Sequence, residues 1–197
     1  MILIIDNESS FIKYFQKDLE KASINFKVIK AEEDIDLDNF ENIQGIILTG
    51  GRGTPLDRDL INDYKAIDYF NVPIIGFCIG HEAIADHFRG EISHLDEHQD
   101  KMEEIHILER DSLLEGVGDK IFLREKHYAN VSKLPEEFKL LASSKVCPIE
   151  IMKHKLRPIY GFQSHPERSP GDGDIIMNNF LKICGIDKRV EISGAEK

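Results

Sequence analysis

The amino-acid sequence predicts an α/β fold, a doubly wound, mostly parallel sheet with helices on both faces and a small antiparallel extension. Two observations support this prediction. The first half of the chain alternates short runs of Ile, Val and Leu with longer amphipathic runs. Continuous apolar strands between helices are typical of a parallel sheet that is covered on both faces. The middle of the chain contains short alternating segments, which favour antiparallel strands.

The first half is predicted to contain four strands and three helices. The strands cover residues 2–5, 26–30, 45–50 and 72–77, and the helices cover residues 9–23, 55–70 and 80–88. In the first helix, Ser9 or Ser10 is available as the N-cap. The aromatic residues of this helix recur at helical spacing, which is more typical of a core-facing stripe than of a binding site: Phe11, Tyr14 and Phe15.

The second half completes the sheet. Residues 104–108 and 120–124 alternate apolar and polar side chains, so we expect them to be antiparallel strands added to the main sheet. A core strand returns at residues 158–163. A last helix is predicted over residues 173–184, and Gly185 is expected to end it because glycine is favoured just beyond a helix C-terminus.

The domain organisation is expected to be simple, with a single domain over residues 1–186 and a flexible tail over residues 187–197. The chain of 197 residues is long enough to bury a sizeable core. Its formal net charge of −11 leaves no basic stripe, so we expect no nucleic-acid partner. No apolar run approaches the ~20 residues that span a bilayer, so we expect no membrane partner and a cytoplasmic location.

The cysteines exclude two classes of site. Cys78, Cys147 and Cys184 are widely spaced and odd in number, unlike a disulfide framework or a paired zinc motif. Residues 94–100, "HLDEHQD", contain metal-ligand residue types, but we favour a polar surface loop that needs no ligand. We therefore expect neither a metal nor a cofactor.

Cys78 lies between the fourth predicted strand and the third predicted helix, with Gly76 and Gly80 two residues to either side. This spacing is typical of a nucleophile elbow, whose strained turn leaves no room for neighbouring side chains. The following helix N-terminus is expected to lower the pKa of the thiol, and the backbone N–H of Ile79 to face an oxyanion. A buried, inert cysteine is the alternative interpretation.

A thiol nucleophile needs a base, and His165 is the candidate because it follows a predicted core strand. Pro166 keeps the chain extended, so Glu167 can accept a hydrogen bond from one ring nitrogen while the other faces Cys78. In isolation, "SHPE" would be interpreted as a surface turn, but its pairing with the elbow favours a catalytic role.

A glycine-rich segment, "TGGRGTP", follows the third predicted strand. Its glycines, Gly50 and Gly51, let backbone amides approach a ligand closely, which suits a second oxyanion donor. A phosphate loop is disfavoured because no Lys-Ser/Thr pair follows. All three segments come directly after strands, at the edge where open α/β sheets place their sites.

These segments resemble the class I, triad-type glutamine amidotransferases. The matching stretches are "GFCIGHEAIA", "GFQSHPE" and "ILTGGRGTP", and the likeness covers nearly the whole chain. The resemblance implies a flavodoxin-like glutaminase fold in which Cys78 attacks the side-chain amide of glutamine, His165 transfers the proton and Glu167 orients His165. It further implies that Gly50, Gly51 and Ile79 provide main-chain contacts to the oxyanion.

The subfamily is less clear. "CPIEIMKHKLRPIYGFQSHPE" is similar to the stand-alone glutaminase subunit of archaeal-type GMP synthase, which we favour. Other stretches, such as "RGTPLD", are as similar to the glutaminase component of anthranilate or aminodeoxychorismate synthase. Either resemblance implies that a separate synthase subunit, of the ATP-pyrophosphatase type in GMP synthase, receives the ammonia.

The chain departs from the family at three positions. Glu82 replaces the usual glutamine after the nucleophile motif, Ser164 replaces the usual phenylalanine before His165, and Lys126 precedes His127 in a motif that normally begins with serine. Glu82 and Lys126 are hypothesised to form a compensating ion pair in the substrate pocket, with His127 beside them. The departures leave two further functions open: a γ-glutamyl hydrolase of altered specificity, and a regulatory subunit without glutamine turnover.

Overall fold

The computed structural model describes residues 1–33 and 36–194, which form one nine-stranded sheet and four α-helices. The strands are β1 (Ile2–Asn7), β2 (Phe26–Lys30), β3 (Gly45–Gly51), β4 (Ile74–Phe77), β5 (Glu91–Ile107), β6 (Lys120–Lys133), β7 (Phe138–Ser143), β8 (Ile151–His154) and β9 (Ile159–Phe162). The helices are α1 (Ile12–Lys21), α2 (Ile61–Tyr69), α3 (Ile79–His87) and α4 (Asp172–Ile183). None of these helices is long and apolar enough to cross a membrane.

The predicted fold class is confirmed. Strands β2, β1, β3, β4 and β9 lie side by side in that order and run parallel. Helices α1 and α4 pack on one face, and α2 and α3 on the other, so the central strands are buried on both sides. Their side chains, such as Ile47 and Ile75, have no contact with solvent, which is why these strands are continuously apolar.

The antiparallel extension is larger than predicted, because β8, β7, β5 and β6 continue the sheet in that order. Residues 94–100 belong to the long β5–β6 hairpin, so the predicted surface loop is wrong there. Pairing is interrupted between His94 and Gln99, where the register shifts. Within residues 1–33 and 36–194, no three His, Cys, Asp or Glu side chains are placed to hold a metal ion.

Two helix starts differ from the prediction. Helix α2 begins at Ile61 instead of residue 55, because residues 54–58 are occupied by turns that Asp57 closes by accepting from the N–H of Thr54. Helix α1 begins at Ile12, and the side chain of Ser9 accepts from the N–H of Phe11. Phe11 therefore lies at the edge of the helix and outside the core.

The segment that follows α4 packs against the body of the protein. Val190 and Ile192 are buried in the same apolar core as α1 and α4. The carboxylate of Asp18, on α1, accepts hydrogen bonds from both the N–H and the hydroxyl of Ser193 at 2.9 Å. Residues 187–194 are therefore packed in this structure, and residues 195–197 lie outside the described part of the chain, so the flexible tail stays a prediction.

Candidate active site

Cys78 occupies a sharp turn between β4 and α3, with φ 49° and ψ −109°, angles that residues other than glycine rarely adopt. The turn closes only because its flanking residues lack side chains. A Cβ on Gly76 would lie 2.5 Å from the carbonyl oxygen of Gly80, and one on Gly80 would lie 2.4 Å from that of Leu48. These contacts explain the spacing of glycines around the cysteine.

The Cys78 thiol is buried. Its Sγ lies 3.6 Å from the carbonyl oxygen of Lys126, to which it donates. Burial, followed by the negative charge of Glu82, raises the pKa of the thiol well above its ordinary value, although the N–H of Ile79 bonds to the sulfur and opposes this. The expectation that the helix N-terminus would lower the pKa is therefore wrong, because desolvation outweighs the helix dipole.

His165 follows β9, the parallel neighbour of β4, so the sheet brings it next to Cys78. Its Nδ1 lies 2.8 Å from Oε1 of Glu167, and both side chains are buried. Its Nε2 is buried without a hydrogen-bond partner among the described residues. A Cβ on Gly50 would lie 2.6 Å from Cε1 of His165 and 3.3 Å from Cβ of Cys78, so the three residues meet at one point.

These residues border a cavity of about 450 Å³ at the carboxyl edge of the parallel strands. The cavity brings together seven of the residues singled out from the sequence: Gly50, Gly51, Cys78, Glu82, Lys126, His127 and His165. Two others do not line the cavity themselves: Ile79 directly follows Cys78 at the start of α3, and Glu167 contacts His165. Ser164, at which the chain differs from the family pattern, is fully buried, and its hydroxyl has no hydrogen-bond partner within the described residues.

The hypothesised ion pair between Glu82 and Lys126 does not form. Glu82 is buried, and its Oε1 accepts from Nε2 of Gln163 at 3.1 Å, while Oε2 has no hydrogen-bond partner among the described residues. Lys126 is exposed, with its ammonium 5.6 Å from the centre of the Phe11 ring. Burial raises the pKa of Glu82 to about 8, so at neutral pH a proton, and not a cation, neutralises this carboxyl group.

His127 connects the cavity to a buried acidic cluster that was not predicted from the sequence. Its Nδ1 lies 2.7 Å from the carbonyl oxygen of Ala129, and its Nε2 lies 2.8 Å from Oε2 of Glu125. Glu125 and Glu150 are both fully buried, and burial raises the pKa of each carboxyl group. Burial also lowers the pKa of His127, so this cluster favours neutral groups beside the cavity.

The cavity is also lined by residues that the sequence patterns did not indicate or placed elsewhere. Phe11, expected in the core, lines the cavity under the guanidinium group of Arg168. His98, from the expected loop, stacks on Tyr128 with ring centres 3.9 Å apart. A usable signal was present only for Arg168, a charged residue directly after the His-Pro-Glu motif.

Comparisons with known proteins agree on one family. A family model described as glutamine amidotransferase class-I matches residues 3–183. The chain is 37% identical over 186 residues to the A-type subunit of glutamine-hydrolyzing GMP synthase from Pyrococcus abyssi, which covers 94% of this chain and 99% of the relative. The relative of the same name in Methanocaldococcus jannaschii is 30% identical over 187 residues, covering 94% of this chain and 98% of the relative.

Solved structures show the same fold. A crystal structure from Thermoplasma acidophilum, described as the same subunit of GMP synthase, superposes with a TM-score of 0.83 at 29% identity, covering 93% of each chain. A glutamine amidotransferase from Thermotoga maritima superposes with a TM-score of 0.73 at 12% identity, over 92% of this chain and 80% of that one. The second likeness concerns the fold alone.

Proposed function

Because the chain belongs to the class-I glutamine amidotransferase family, we propose that it hydrolyses glutamine and passes the ammonia to a separate synthase subunit. The observation that carries this proposal is the strained cysteine turn, which meets the His165–Glu167 pair at Gly50. Strain of this kind is maintained where a nucleophile has to be presented to a substrate.

In the proposed reaction, the Cys78 sulfur attacks the side-chain amide carbon of glutamine. Nε2 of His165 accepts the thiol proton and then gives it to the departing nitrogen, which leaves as ammonia. Glu167 holds the imidazole through Nδ1 and stabilises its protonated form. Water, deprotonated by His165, then cleaves the thioester, which releases glutamate and restores the thiol.

The oxyanion of each tetrahedral intermediate is bound by main-chain N–H groups. Ile79, which directly follows Cys78 at the start of α3, supplies one of these groups in this proposal. Gly50 and Gly51, at the end of β3, supply the neighbouring donors in this proposal. The raised pKa of the Cys78 thiol fits this mechanism, in which His165 removes the thiol proton as the sulfur attacks.

The altered position 82 is compatible with this reaction. A protonated glutamic acid keeps one donor and one acceptor, so neutral Glu82 approximates the amide that the family usually has there. Glutamine turnover at neutral pH is therefore favoured over a different γ-glutamyl substrate or a purely regulatory role.

GMP synthase is the proposed assembly, because the relatives that cover nearly the whole chain carry that name. The partner would be an ATP-pyrophosphatase-type subunit that uses the ammonia. The three cysteines are free thiols, which fits the reducing cytoplasm as the place of action.

The test is ammonia release from glutamine by the isolated chain, alone and with a candidate GMP synthase ATP-pyrophosphatase subunit. The Cys78→Ala variant is the control, and its rate is expected to be at least about a thousandfold lower. Cys78-dependent release that rises with the partner and ends in GMP would support the proposal. Absence of Cys78-dependent release in both series would overturn the glutaminase assignment, and release unaffected by the partner would overturn the proposed assembly.

A further inference from the structure

Two cationic side chains lie on the same aromatic ring at the cavity wall. The guanidinium group of Arg168 stacks over Phe11, and the ammonium of Lys126 lies 5.6 Å from the centre of that ring. All three residues line the cavity beside Cys78. The chain has a net charge of −11, so the charge of these two side chains is opposite in sign to that of the protein as a whole.

Arg168 has two guanidinium nitrogens without a hydrogen-bonding partner. Its Nε and Nη1 atoms are buried, and no acceptor within residues 1–33 and 36–194 bonds to them. The nearby carboxylates do not bond to these nitrogens: Glu167 contacts His165 through Oε1, and Asp100 pairs with Arg124. Buried guanidinium nitrogens almost always have partners, so Arg168 has hydrogen-bonding capacity beside the cavity that the described residues leave unused.

We propose that Arg168 binds the carboxylate of the substrate in this cavity, with Phe11 fixing the guanidinium plane and Lys126 adding a second positive charge. The inference rests on the proposed function, under which the anion is the α-carboxylate of glutamine. On a planar guanidinium, Nη2 forms a pair of parallel N–H groups with Nε or with Nη1, and such a pair matches the two oxygens of a carboxylate. Burial lowers the pKa of Arg168 to about 10, which still leaves it charged at neutral pH.

This site gives the cavity two ends with separate tasks. The amide end of the substrate is placed at Cys78, and the acidic end is held by Arg168. The net attraction offsets the repulsion that an anionic substrate would meet from the other carboxylates of the pocket, such as Glu8. A substrate with a neutral end would lose this attraction.

The first experiment does not depend on glutamine turnover. Cys78 is alkylated with iodoacetate, which is anionic, and with iodoacetamide, which is neutral, and labelling of the Cys78 peptide is followed by mass spectrometry. The ratio of the two rates is compared in wild type and in Arg168→Met, which keeps the apolar stem on Phe11 but removes the charge. Arg110→Gln removes one exposed positive charge away from the cavity and serves as the matched control.

Arg168→Met is expected to lower the iodoacetate-to-iodoacetamide ratio by about fivefold, whereas Arg110→Gln leaves it unchanged. Arg168→Lys, which keeps a charge but loses the planar guanidinium, is expected to give a ratio between those of Arg168→Met and wild type. An unchanged ratio in a folded Arg168→Met protein would overturn the inference and leave Arg168 as a packing partner of Phe11.

The second experiment compares glutamine with glutaminamide, whose α-carboxylate is replaced by a neutral amide. Wild type is expected to have a lower KM for glutamine than for glutaminamide. In Arg168→Met the ratio of these two KM values is expected to change about tenfold towards one, with kcat changed much less. An equal preference in both proteins would overturn the inference. If wild type releases ammonia from neither compound, the proposed function fails, and the alkylation ratio still decides whether Arg168 attracts an anion.

Discussion

The two sides of the cavity are built by different means. Cys78, His165 and Glu167, which we name the catalytic wall, follow the adjacent strands β4 and β9. Glycines let the backbone turn at Cys78 close and leave room for the His165 ring beside it. Glu82 and Arg168, the substrate wall, are placed by side-chain contacts with Gln163 and Phe11. In our proposal the backbone fixes the chemistry and side chains set the selectivity, so changes on the two walls should affect different kinetic parameters.

The largest effect is expected from Gly50→Ala, which acts on the catalytic wall without changing any of its three residues. The new methyl group would lie 2.6 Å from Cε1 of His165, so the imidazole has to move away from Cys78. Displacement on the scale of an ångström is expected to lower kcat for glutamine about a hundredfold, with little change in KM. Steady-state ammonia release measures both parameters.

Gly118→Ala is the matched control for this change. Its new methyl group meets no atom closer than the carbonyl oxygen of Lys120, at 3.2 Å, and lies outside the cavity. Wild-type kinetics are expected for this variant. A kcat for Gly50→Ala within twofold of wild type would show that backbone contacts do not hold the catalytic wall tightly.

A smaller effect is expected from Glu167→Gln, which keeps the shape of the side chain but removes its charge. The amide can still contact Nδ1 of His165, yet it stabilises the protonated imidazole less well. We expect kcat to fall about tenfold and KM to stay near its wild-type value. Glu115→Gln, an exposed carboxylate away from the cavity, is the control, and an equal effect of the two substitutions would contradict an orienting role for Glu167.

The smallest effect at neutral pH is expected from Glu82→Gln, on the substrate wall. Because burial raises the pKa of Glu82 to about 8, wild type acquires a buried negative charge as pH rises through that value. That charge also raises the pKa of the Cys78 thiol. The ratio of Glu82→Gln to wild-type activity is therefore expected to stay within about twofold at pH 7 and to reach about fivefold at pH 9.

Stability gives an independent check on Glu82. Its pKa in the folded protein lies above its ordinary value of 4.5, so the stability that its neutral form provides is complete below pH 4.5 and is lost as pH rises through about 8. Wild type is expected to lose more stability than Glu82→Gln between pH 5 and pH 8.5, as measured by urea unfolding. Parallel losses in the two proteins would show that Glu82 is already ionised in the folded state.

The fold and the catalytic wall were largely predictable from the sequence because both depend on local backbone patterns. Continuous apolar runs predicted the parallel strands, and the glycines around Cys78 predicted the turn that the structure contains. The two-residue spacing of His165 and Glu167 predicted a contact that is present at 2.8 Å.

The substrate wall was not predictable, because burial and long-range contacts decide its properties. Charge alone suggested an ion pair between Glu82 and Lys126, whereas the fold buries the first and leaves the second exposed on Phe11. The helical periodicity that predicted Phe11 as a core residue does not apply to it, because the helix begins at Ile12, one residue after Phe11. The expectation of a lowered pKa for Cys78 is wrong for the same reason, because a local sequence motif does not indicate how far the thiol is desolvated.

The backbone angle at Cys78 carries an evolutionary consequence. A residue other than glycine at φ 49° and ψ −109° costs on the order of 1–3 kcal/mol of folding stability, most of which glycine would recover. Mutational drift in a lineage that had stopped using the thiol would thus move position 78 towards glycine. In our proposal, the cysteine at this position is kept in spite of that cost because its thiol is the nucleophile.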